Sequence, residues 1–150
     1  MFLRDYERVM KSAADPTRLR ILKMLEGGEL CVCQIIAVLE LSQSTVSKHL
    51  FLLKMGGLVK ERRSGKWVHY SLDGSGGAVF ARKILGCLKG WLNDDPVVAR
   101  DRSREAVARE IGPEGICGRG MTLPARRKAA CGCPTGEEAT VAKSAGGRSR

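Results

Sequence analysis

Between Tyr6 and Leu92 the apolar residues recur in blocks at helical spacing, and turn-forming residues separate the blocks. Tyr6, Val9, Met10 and Ala13 predict a first helix. Asp15-Pro16 opens a second: an aspartate N-cap, then a first-turn proline whose missing N–H would have had no partner there. Leu19, Ile21, Leu22 and Leu25 give it an apolar stripe, and Gly27-Gly28 stop it. Val32, Ile35, Ile36 and Leu39 mark a short third helix that begins between Leu30 and Cys33. Leu41-Ser42-Gln43 reads as a tight turn with Ser42 as N-cap. Val46, Leu50, Leu52 and Leu53 then form the buried face of a fourth helix, closed by Gly56-Gly57. Residues 58–62 and 66–72 read as two strands of a hairpin around Arg63-Ser64-Gly65. After a break at 73–77, Val79, Phe80, Ile84, Leu85, Leu88, Trp91 and Leu92 predict a last helix over residues 78–92. Gly86 and Gly90 inside it each cost about 1 kcal/mol against alanine. Its apolar face is wide for a terminal helix on a small domain, which predicts cover by a second copy.

Asp94-Asp95-Pro96 ends that helix. Residues 97–111 allow a charged helix. Residues 112–150 are rich in Gly, Ala, Arg, Ser and Pro without an aromatic residue, too little apolar surface to order alone. The expected organisation is a folded domain over 1–93 and a basic, Cys-containing, largely flexible extension over 94–150. The fold class is mainly α with a small β-hairpin wing, a dimeric winged helix-turn-helix.

Composition narrows the function. The 150 residues hold 26 Lys+Arg against 16 Asp+Glu, a net charge of +10 that attracts polyanions. No apolar run approaches the roughly 20 residues of a membrane span, and the charged N-terminus lacks a signal core. A cytoplasmic protein without a membrane partner is expected. The 6 cysteines then read as metal-binding or redox-active thiols before disulfides. A thiol reductase is disfavoured, because there is no C-x-x-C and no strand–helix alternation.

Two short helices joined by a tight turn and followed by a basic-tipped hairpin form a winged helix-turn-helix. The second helix of such a unit lies in the major groove of double-stranded DNA. Its leading residues are Gln43, Ser44, Thr45, Ser47, Lys48 and His49. Gln pairs bidentately with adenine, and the hydroxyls serve bases or phosphates. Lys54, Lys60, Arg62, Arg63 and Lys66 supply phosphate neutralisation around the wing. His49 reads equally as a packed helix histidine, and His69, alternating with Trp67, reads as packing.

The stretches Ala14–Leu22, Glu29–Cys33, Ser42–Leu50 and Gly65–Tyr70 resemble, in this order, the arsenical-resistance operon repressors. These belong to the winged-helix family of arsenic and cadmium/lead sensors, and the resemblance covers about residues 5–92. It implies a homodimer with terminal helices at the seam, an operator DNA of two-fold symmetry, and release on binding an inducer, As(III) or Sb(III). A Cd(II)/Pb(II)-responsive repressor of the same family is the alternative. The family's zinc sensors use carboxylates and histidines on the terminal helix, and residues 78–92 contain neither.

Cys31-Val32-Cys33 is the inducer site that the resemblance implies. On a regular helix two such side chains diverge by about 200°, so one soft ion takes both sulfurs only where the helix start is irregular. A helix N-terminus and nearby cations also lower a thiol pKa. In the arsenic sensors the pattern extends to C-x-C-x-x-C, but here Ile36 stands at the third position. The cadmium/lead sensors add thiolates from an N-terminal arm, and this chain has no cysteine before Cys31. A third ligand is therefore expected from Cys117, Cys131 or Cys133. About 25 residues of flexible chain span roughly 25–30 Å, enough to reach the pair. Cys87, between Leu85 and Leu88, reads as core or dimer seam.

Overall fold

The computed structural model describes residues 2–75 and 79–125. Cys131 and Cys133 lie outside the described residues.

Four helices form the first half: α1 (Leu3–Ala13), α2 (Pro16–Leu25), α3 (Val32–Leu39) and α4 (Gln43–Met55). Their starts follow from local chemistry. Asp15 caps α2 by accepting from Arg18 N–H at 2.9 Å, with Pro16 in the first turn. Ser42 Oγ accepts from Thr45 N–H at 3.3 Å at the start of α4. Ile21, Leu22, Leu30, Ile35, Leu50, Leu53 and Leu58 are fully buried together and make the core. Leu52, expected in it, is 37% exposed, because the inward stripe of α4 runs through Val46, Leu50 and Leu53 instead.

The wing consists of β2 (Val59–Ser64) and β3 (Trp67–Leu72), joined through Gly65 at φ 58°. A two-residue strand, β1 (Leu30–Cys31), joins the other edge of β3, giving a three-stranded antiparallel sheet of order β1-β3-β2. Its register sets Cys31 opposite His69. Two residues carry no readable period, so the sequence alone does not reveal β1.

The helix α5 (Val79–Leu88) ends earlier than its apolar pattern suggests. Buried Lys23 draws its end onto α2, donating to the Leu88 carbonyl and to Asn93 Oδ1, each at 3.0 Å. Cys87 is exposed in this chain rather than in its core.

The charged helix allowed over residues 97–111 is present as α6 (Pro96–Gly118), longer than that stretch and packed against the domain within an extension expected to be largely flexible. Asp95 caps it, accepting from Val97 and Val98 N–H, with Pro96 in the first turn. It packs along α3 and the end of α2. Its inward stripe is Val98, Asp101, Glu105 and Ala108. Two of these four are acids, so the stripe does not register as apolar, yet both are paired. Arg20 holds Asp101 with bonds of 2.6 and 2.9 Å, and Arg109 holds Glu105 at 2.8 Å. Close approach is possible because Gly27 has no side chain; a Cβ there would lie 2.5 Å from Glu105 Oε1.

Candidate thiol site and nucleic-acid interface

Cys31 is the N-cap of α3 and still has strand conformation, φ −72° and ψ 148°. That extended backbone removes the angular divergence a regular helix would impose, and the sulfurs of Cys31 and Cys33 lie 3.2 Å apart. Both are buried, at 2% and 4% exposure.

A third thiol near the pair lies on α6. At Gly112 the backbone has φ 76° and ψ 167°, a region essentially confined to glycine. Pro113 follows and fixes its own φ for a fresh helical start. The last turn, residues 113–118, is thereby redirected over the start of α3. The Pro113 carbonyl comes within 3.6 Å of Cys33 Sγ, and the half-buried Cys117 thiol interacts with that of Cys33. Cys31, Cys33 and Cys117 line one cavity of about 290 Å³. Among the described residues no three His, Cys, Asp or Glu side chains are yet drawn into a metal-holding cluster.

Burial pushes the Cys33 thiol well above the usual thiol range, and its hydrogen bonds and charge interactions with Cys31 and Cys117 push the same way. The lowering expected at a helix N-terminus does not prevail, because the desolvation of a thiolate here outweighs it.

Polar contacts tie this site to α6 and to the turn before α4. The Gln34 amide bridges two backbones: Oε1 accepts from Cys31 N–H at 2.8 Å, and Nε2 donates to the Ala108 carbonyl at 2.9 Å. Arg104 donates to the carbonyls of Ala37 and Val38 at the end of α3, and Arg109 to those of Gly28 and Glu29. Glu40, in left-handed conformation at φ 58°, pairs with both Arg100 and Arg104.

On the nucleic-acid side, Gln43, Ser44, Thr45, Ser47 and Lys48 are exposed along the first turns of α4. His49 is not among them. It turns inward, its Nδ1 3.8 Å from Asp15 Oδ1 and buried without a hydrogen bond. Arg63 and Lys66 are exposed at the wing tip, Lys66 Nζ lying 4.8 Å from the centre of the Trp67 ring. Arg62 is instead engaged by Glu29, in bonds of 3.1 and 2.6 Å, and Lys54 by Glu61 at 2.7 Å. His69 faces the same Glu29 at 3.6 Å. Cation counting finds these side chains but not their pairing, since Glu29 is 33 residues from Arg62.

A helix-turn-helix with an exposed polar second helix and a basic wing defines a DNA-binding regulator rather than an enzyme. The family profile described as bacterial regulatory protein, arsR family, matches residues 15–61. The chain is 50% identical over 67 residues to the arsenical resistance operon repressor of Escherichia coli, covering 44% of this chain and 57% of that protein. Over 70 residues it is 47% identical to a cadmium resistance transcriptional regulatory protein CadC homolog of Staphylococcus aureus, covering 46% and 58%. Among solved structures it is similar to reduced HlyU from Vibrio cholerae, with TM-score 0.52 and 32% identity over 60% of this chain and 90% of HlyU. The chain belongs to the arsR family. It spans somewhat over half the length of the two curated relatives, and their identities do not separate arsenic from cadmium.

Proposed function

We propose that this protein is an As(III)- or Sb(III)-responsive transcriptional repressor. It binds operator DNA as a homodimer in the cytoplasm and loses its affinity for that DNA when one ion joins Cys31, Cys33 and Cys117. The observation that carries this reading is the kink at Gly112-Pro113, which brings Cys117 beside the Cys31/Cys33 pair. A thiol from α6 takes the place of the one missing at Ile36. Cys131 and Cys133 are not needed for this ion.

The buried, protonated thiol favours a trivalent metalloid over Cd(II) or Pb(II). Arsenite condenses with three thiols, As(OH)3 + 3 RSH giving As(SR)3 + 3 H2O, so no proton is released and no net charge is buried. A divalent metal must expel the thiol protons and leave an anionic thiolate complex in a buried site, which burial opposes.

Base reading falls to Gln43, Ser44, Thr45, Ser47 and Lys48, and phosphate contact to Lys60, Arg63 and Lys66. The dimer seam is the exposed apolar face of Leu3, Tyr6 and Met10 on α1 with Val79 on α5 and Trp91 after it. Tyr6 and Phe80 already join the two helices edge to face, 5.1 Å between centroids. Drawing Cys117 inward moves the last turn of α6. The Gln34, Arg104 and Arg109 links carry that movement to α3 and the turn before α4.

Titration on operator DNA tests the proposal. Arsenite releases the wild type and the Cys131→Ser/Cys133→Ser variant, whereas Cys31→Ser/Cys33→Ser stays bound and Cys117→Ser needs far more arsenite. Release of Cys31→Ser/Cys33→Ser by arsenite, or release of the wild type by cadmium alone, overturns it.

A further inference from the structure

We infer that operator DNA forms the missing wall of the thiol cavity, so that arsenite reaches Cys31, Cys33 and Cys117 only in repressor that has already left the DNA. The inference rests on the proposed function, in which α4 and the wing face DNA and the thiols take the ion.

The cavity is lined by buried, half-buried and exposed side chains, Cys117 and Met121 among the half-buried ones. Its floor is Cys31 and Cys33, almost without exposure, backed by Ile36 and Tyr70 from the core. Its rim on the outer side is Gln43 and Ser47 of α4 together with Arg63 and Lys66 of the wing, all exposed. Gln43 and Ser47 are one helical turn apart on one face of α4, and Arg63 and Lys66 flank the turn at the wing tip. These four side chains are also the ones a winged helix lays against a duplex. The helix enters a major groove about 12 Å wide while basic side chains meet the phosphates. A duplex seated there spans the gap between helix and wing and covers the opening.

Equilibrium coupling between DNA and ion is reciprocal whichever leaves first, so titrations do not reveal this arrangement. The order of events does. If DNA closes the cavity, arsenite traps free repressor and cannot strip a bound one.

Two measurements on the full chain decide it. In the first, protein bound to a labelled duplex that it has selected from a random-sequence library is mixed rapidly with excess unlabelled duplex or with increasing arsenite. The expected release rate with arsenite levels off at the rate of the unlabelled chase. A rate that climbs beyond the chase in proportion to arsenite overturns the inference. In the second, N-ethylmaleimide labelling of each cysteine is followed by peptide mass spectrometry. The duplex slows modification of Cys31, Cys33 and Cys117 but leaves that of Cys87 unchanged. Equal labelling of Cys31 with and without the duplex overturns the inference whatever the inducer is. Failure of the proposed function looks different: Cys31→Ser/Cys33→Ser would still release DNA at equilibrium.

Discussion

Replacing Gln34 with leucine removes a buried side chain that joins the thiol site to α6. The Gln34 amide is 4% exposed and makes two bonds, from Cys31 N–H at 2.8 Å and to the Ala108 carbonyl at 2.9 Å. Leucine has similar volume but leaves a buried donor and a buried acceptor without partners. A buried polar group stranded in this way costs about 1–3 kcal/mol. The Ala108 carbonyl has a second lone pair and falls at the low end of that range. Leucine recovers up to about 1 kcal/mol through its apolar surface. The net expected loss is therefore about 1–4 kcal/mol. Urea unfolding followed by circular dichroism reads it as a lower midpoint with unchanged slope. Arsenite affinity falls as well, since Cys31 and the helix that carries Cys117 are no longer fixed to each other. A loss below about 0.5 kcal/mol, the size of an ordinary surface substitution, would refute the bridging role of the amide.

Three other perturbations follow from the same structure. Gly112→Ala forces a side chain into the glycine region at φ 76°, at a cost of about 1–3 kcal/mol; in isothermal titration arsenite affinity drops toward that of Cys117→Ser, while DNA affinity without arsenite holds. Glu29→Gln frees Arg62 for phosphate, and the slope of log K against log salt for DNA steepens by about 0.9 for each Arg62 that makes contact. The pH dependence separates the inducers: the raised Cys33 pKa keeps that thiol protonated through neutral pH. Cadmium must displace the proton, so its affinity rises by about tenfold per pH unit for that thiol up to its pKa. Arsenite affinity stays flat over the same range, because the proton leaves as water.

The helix-turn-helix is legible in the sequence because its signals are local. Asp15-Pro16 and Ser42 act within one turn, and Val46, Leu50 and Leu53 keep a clean period that puts Gln43 to Lys48 outside. The Cys31/Cys33 pair is legible for the same reason. What sequence reading misses depends on partners far along the chain. The α6 stripe is half acidic, and the burial of Asp101 is made tolerable by Arg20, 81 residues away. Asp95-Pro96 repeats the start signal of Asp15-Pro16, yet it reads as a breaker when the residues after it lack an apolar period. Cys117 is among the possible third ligands, but nothing local distinguishes it from Cys131 or Cys133. The distinguishing signal is Gly112-Pro113, a glycine able to take the required φ just before a residue that restarts a helix. His49 reads equally as a DNA-facing or a packed side chain and Arg62 as a phosphate contact; what the sequence does not show is that Asp15 lies beside the first and Glu29 pairs with the second.

The central claim is that one chain supplies three sulfurs to one ion. X-ray absorption at the arsenic edge counts them directly. Arsenite bound to the wild type and to Cys131→Ser/Cys133→Ser is expected to show three sulfur neighbours and no oxygen, and Cys117→Ser two sulfurs and one oxygen. Three sulfurs retained in Cys117→Ser, or an oxygen in the wild-type shell, would contradict it.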